Sequence, residues 1–199
     1  MSEAERRIRP ADVLSLAEFE TLRRAKRATL VAMKRDRRVA VGPFATFYFE
    51  NYETMWWQVH EMLRIEKGGA SQVADELDAY NPLIPQGREL VATLMFEIDD
   101  AAERDRWLTR LGGVEHTVTL QLGGRAILAE IADARSGERT TEGGKTSSVH
   151  FLRFAFDAEA IARFRDATQP VLLGIGHENY GHLAVLPAAV RQVLAKDFG

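Results

Sequence analysis

Two stretches of this chain read as strands on either side of a tight turn. RVAVGPFATFYFEN alternates around Gly42-Pro43, and EHTVTLQL and RAILAEIA flank Gly123-Gly124. A period of two puts successive side chains on opposite faces of a strand, and turns this short permit only antiparallel pairing. Hairpins are therefore the framework. ELVATLMFEI, VHFLRFAF and PVLLGIGH add further strands.

Helical spacing fills the intervals. Ser15 to Glu18 has the form of a capping box ahead of Leu16, Phe19, Leu22, Leu30 and Met33. Asn51 is placed to cap ETMWWQVHEMLRIEK, and Pro187 opens AAVRQVLAKDF. FEIDDAAERDRW and FAFDAEAIARF echo each other as strand, Asp cap and short helix, each followed by a strand. The prediction is one α+β domain over residues 1–199, with a mixed, largely antiparallel β-sheet and helices packed against it.

The chain has 199 residues, five histidines and no cysteine. Disulfides, thiol catalysis and cysteine-ligated metal centres are excluded, so a metal would need His, Asp and Glu ligands. Residues 1–38 carry 11 basic and 6 acidic side chains, whereas the remainder carries 15 and 23. Residues 1–37 thus read as a basic N-terminal helical arm. Such an arm suits nucleic acid in principle. Its apolar stripe favours docking on protein instead, whether this chain's acidic body, a second copy or another protein. No apolar run is long enough to span a bilayer, and MSEAERRIRP lacks an apolar signal core, so the expected location is the cytoplasm and no membrane partner is expected.

GIGHENYGHLAVLP holds the most conspicuous polar residues. Read as two strands joined by a four-residue loop, ENYG, it opposes His177 and His182 with Cβ atoms about 4.5–5.5 Å apart. Two imidazoles could then share a divalent metal ion or a small anion. Glu61, on the polar stripe of the Trp56-Trp57 helix with Glu53, His60, Arg64 and Lys67, would be a third ligand or a general base. Tyr180 would donate a hydrogen bond, which makes Glu61 and Tyr180 the candidate catalytic residues. The plainer alternatives are a polar turn bonded to backbone and water, and a solvated helix face with local ion pairs.

Residues 133–148 form a long polar loop. Its Gly144-Lys145-Thr146 resembles the end of a phosphate loop, but Arg139 stands where the first glycine is needed and a strand follows. Nucleotide hydrolysis is rejected. Arg135, Arg139 and Lys145 could still hold an anionic cofactor. His150 shares a strand face with Leu152, Phe154 and Phe156 and reads as a near-core residue, while His116 reads as exposed.

RRVAVGPFATFYFENYETMWWQVHEMLRIEK, NPLIPQGRELVATLMFEID and GIGHENYGHLAVLP, in that order, resemble the uncharacterised bacterial family DUF3501. The resemblance covers nearly the whole chain and brings no assigned activity. It implies a setting near rubrerythrin and iron–sulfur or flavin oxidoreductases, hence peroxide or electron-transfer metabolism and oxidative stress. The expected function is binding of a metal ion or small anion at the C-terminal hairpin. The alternative is a non-catalytic partner that docks a rubrerythrin-like or iron–sulfur oxidoreductase protein, or itself as a homo-oligomer, through the basic helix. Enzyme and binding protein are both compatible with these residues.

Overall fold

A computed structural model describes residues 6–132 and 143–199 and arranges the hairpins as two antiparallel sheets rather than one. β1 (Arg38–Val41), β2 (Ala45–Phe49), β3 (Glu89–Phe96), β6 (Glu130–Ile131) and β7 (Val149–Ala155) make the first sheet, in the order β1-β2-β3-β7-β6. β4 (Val118–Leu122), β5 (Arg125–Leu128), β8 (Val171–His177) and β9 (Tyr180–Val185) make the second, in the order β5-β4-β8-β9. Every pairing among the described residues is antiparallel. The α+β class is as expected. The single sheet is divided because the chain leaves β5, donates Ala129 N–H to Val118 O, and enters the first sheet as β6 one residue later.

Alternation explains the packing. Phe47, Phe49, Leu90, Leu94, Leu152 and Phe154 from the first sheet meet Val118, Leu120, Leu173 and Ile175 from the second in one continuous core. Each of these large side chains stabilises by about 2–3 kcal/mol on leaving water. Helices α4 (Ala101–Arg110), α5 (Ala158–Arg165) and α6 (Ala188–Leu194) add Leu108, Phe164 and Leu194 to that core.

The outer face of the first sheet is covered by α1 (Leu16–Arg35), α2 (Tyr52–Glu66) and α3 (Gly69–Tyr80), where Met55, Val59 and Leu77 pack with Val91. Ser15 and Asn51 cap α1 and α2 as their side chains predict, and Asp100 and Asp157 cap α4 and α5. No helix among the described residues is long and apolar enough to cross a membrane.

The sequence echo has a structural counterpart. β3-α4-β4-β5 and β7-α5-β8-β9 each run from the first sheet, through an Asp-capped helix, into a hairpin of the second. β3 pairs with β7 and β4 with β8, so the two units meet strand to strand at the middle of both sheets.

Candidate functional site

In β2, Ala45, Phe47 and Phe49 point into the inter-sheet core, so Thr46, Tyr48 and the following Glu50 face the helical layer. Asn51 then turns the chain: its Oδ1 accepts from Thr54 N–H while Thr54 Oγ1 accepts from Asn51 N–H, both at 2.9 Å. This reciprocal cap starts α2 directly after Glu50, and Met55 from its first turn lines the hollow that Glu50 also lines. That hollow is a cavity of about 300 Å³.

Glu50 is only 8% exposed. Thr93, which shares its face of β3 with Val91 and Met95, donates its hydroxyl to Glu50 Oε1 at 2.7 Å. Burial pushes the Glu50 pKa up, against the opposing pull of Thr54, Thr93 and the Lys34 and Arg37 cations. Glu50 therefore holds its proton more tightly than an ordinary carboxyl group does.

The two cations differ. Arg37 is committed to the fold: Nε donates to Phe49 O at 2.9 Å, Nη2 to Glu50 O at 3.0 Å, and both Nη groups grip Asp197. Lys34, from the last turn of α1, lines the cavity with its ammonium unbonded among the described residues. Tyr80 closes another side, its phenol pKa raised mainly by burial, and Met95 and Phe151 give an apolar wall. Two larger hollows, beside α1 and beside α5, contain no buried ionisable side chain. A buried acid with a raised pKa, an ammonium without a hydrogen-bond partner among the described residues and an apolar wall can hold a small organic molecule and exchange a proton with it.

The C-terminal hairpin is built differently from the expected loop. His177 pairs with Tyr180, so Glu178 and Asn179 alone make the turn, and His182 opposes Ile175 instead of His177. The histidines are diagonal neighbours and their rings point to different partners. His177 Nε2 lies 3.2 Å from Gly112 O, and its Nδ1 accepts from Asn179 N–H at 3.2 Å. His182 packs against Gly42 and the Tyr180 ring, whose centroid is 4.4 Å away, with Nδ1 buried and unbonded among the described residues.

Tyr180 does form hydrogen bonds, but to the fold. Its hydroxyl donates to Val41 O at 2.9 Å and accepts from Phe44 N–H at 2.8 Å and Ala45 N–H at 2.9 Å. That exhausts a phenol's capacity. Tyr180 thus ties β9 to the β1–β2 turn.

Glu61 belongs to a separate place, the α1–α2 junction. Its Oε1 accepts from Arg23 Nε at 2.6 Å and Trp57 Nε1 at 3.1 Å. The structure therefore does not bring His177, His182 and Glu61 together, and no group of three metal-ligating side chains occurs among the described residues. The polar stripe around Glu61 is not all solvated either. His60 is 2% exposed, accepts from Leu14 N–H through Nε2 at 2.9 Å, and places Nδ1 2.7 Å from Trp56 O. Burial lowers its pKa, because α1 folds back and lays Phe19 over it.

Of the loop cations, Arg135 and Arg139 lie outside the described residues. Lys145 forms an ion pair with Asp105 on α4. His150 is buried and bonded to Ser147 O at 2.9 Å, and His116 is exposed, both as expected.

Sequence reasoning passed over Glu50 and Thr93: neither belongs to a motif, and both are polar residues that the fold buries. Comparison with known proteins adds fold and kinship. A solved structure of a protein of unknown function from Burkholderia pseudomallei K96243 is 33% identical, covers 96% of this chain and 99% of its own, and superposes with a TM-score of 0.85. No curated protein matches. A family model described as "Protein of unknown function (DUF3501)" matches residues 7–198.

Proposed function

The chain belongs to the DUF3501 family of proteins of unknown function, and on that premise we propose that it binds a small organic molecule in the Glu50 cavity and exchanges a proton with it. One observation carries the reading: a buried carboxyl group with a raised pKa faces an unbonded lysine across a cavity of about 300 Å³. Lys34 would hold a carbonyl or carboxylate oxygen of the guest, and Glu50 would give or take the proton. A volume at the lower end of the ligand-site range favours a compact guest over a peptide or a nucleotide.

The test is a fragment screen read by chemical shifts, on the wild type and on Val149→Trp, which fills the cavity from β7. Hits should cluster on Thr93, Met95 and Phe151 and vanish in the filled variant. Hits scattered elsewhere, or indifferent to the filling, would sink the reading.

A second reading, docking of an oxidoreductase or of another copy, has its own observation. Helix α1 buries Phe19 but leaves Leu16 49% and Val31 62% exposed beside Arg24 and Arg27. Charge reversal at Arg24 and Arg27 should abolish a complex with a rubrerythrin-like protein, or a self-associated form, in sedimentation velocity. Deleting the whole arm is a poorer test, because Phe19 seals Trp56, Trp57 and His60.

A further inference from the structure

A second site lies where the ends of the chain meet α5. Arg6 comes from the N-terminal arm, Arg88 from the approach to β3, and Arg165 from the last turn of α5. All three line one cleft of about 600 Å³, to which no aspartate or glutamate side chain contributes.

Two of the guanidinium groups are held in place by backbone. Arg6 Nη1 donates to Pro85 O at 3.2 Å and to Asp197 O at 2.6 Å, and Arg165 Nη2 donates to Phe198 O at 3.2 Å. The Arg88 side chain has no hydrogen bond or ion pair among the described residues. Neither Arg6 nor Arg165 forms an ion pair there. The carboxylate whose field Arg6 reaches, Asp197, is already gripped by Arg37. Gly87 has φ +99°, and a Cβ on it would stand 3.2 Å from Arg6 Nη1, so this glycine lets the arginine lie flat across the floor.

Carbonyl anchors use a few of the donors and leave the rest available to a guest. Three guanidinium groups arriving from separate segments, which outnumber the one α-carboxylate of Gly199 in the same lining, fit a tetrahedral dianion better than a planar monoanion. Ile161 and Ala162 form an apolar wall beside them. We propose that this cleft binds the phosphoryl group of a small organic phosphate, with the organic part against α5. The site shares no residue with the Glu50 cavity and does not depend on the reading given for it.

The test uses titration calorimetry of the full chain at fixed ionic strength, with phenyl phosphate as probe and benzoate as its carboxylate counterpart. Phenyl phosphate should bind at least about tenfold tighter than benzoate, and inorganic phosphate should compete with it. Arg88→Ala should weaken the phosphate about tenfold without altering thermal stability, since that side chain supports nothing else. Arg88→Lys, which keeps charge but loses the fork, should fall between. No binding of phenyl phosphate, or equal binding by Arg88→Ala, would overturn the proposal. So would an oligonucleotide that binds through Arg88 more tightly than phenyl phosphate, because the phosphate would then be that of a nucleic acid.

Discussion

The Glu50 cavity and the C-terminal hairpin both place polar side chains out of water, yet they dispose of them in opposite ways. At the hairpin, Tyr180 makes three hydrogen bonds to backbone and both His177 nitrogens have backbone partners, with His182 Nδ1 the exception, buried against the Tyr180 ring. In the cavity, Glu50 accepts from Thr93 on Oε1 and lines a hollow that it shares with a lysine unbonded among the described residues. Buried polar groups that are fully satisfied hold a fold together. One kept at an electrostatic disadvantage beside empty volume is the better candidate for chemistry.

The largest break in this contrast is expected from Tyr180→Phe. It strands one carbonyl and two N–H groups at the β1–β2 turn and should cost about 3 kcal/mol by denaturant unfolding. A loss below about 0.5 kcal/mol would show that water replaces the hydroxyl. Gly42→Ala probes the same junction from the other side. Gly42 has φ +72°, and an added Cβ would meet the His182 ring at 2.6 Å, so a loss of about 2 kcal/mol is expected.

Glu50→Gln should do the reverse, and least. A carboxyl whose folded pKa lies above its unfolded one binds a proton on folding. Its cost is therefore absent in acid, grows as pH rises past the unfolded value near ~4.3, and levels off above the folded pKa. The variant should match the wild type at low pH and exceed it at neutral pH in thermal unfolding. Equal differences at both pH values would mean that Glu50 ionises normally.

Local features were legible. Gly42-Pro43 and Gly123-Gly124 mark real hairpin turns, and Ser15, Asn51 and Asp157 cap real helices, because both depend on residues a few positions apart. The ENYG segment misled because Asn179 and Gly181 are both residues that turns favour, so all four positions read as loop. The register instead puts Gly181 inside β9 opposite Gly176, and Gly181 is not among the positive-φ glycines. Division into two sheets was hidden because Ala129, where the chain steps across, sits in ILAEIA, which has no glycine, proline or turn residue to mark a break. Glu50 was hidden for a related reason. Nothing near it in sequence announces that α2 and α3 will cover that side of β2.

The seam between the two strand–helix–hairpin units bears on how the protein reaches this state. Glu89–Phe96 joins Val149–Ala155, and Val118–Leu122 joins Val171–His177, so the centre of each sheet zips together segments some fifty or more residues apart. The local hairpins can close in about 1–10 μs, but these distant partners must first find one another at an entropic loss not yet offset by burial. Acquisition of the native state should accordingly be slow for a chain of this length, on the order of milliseconds to seconds, with the midline of the sandwich as its kinetic bottleneck.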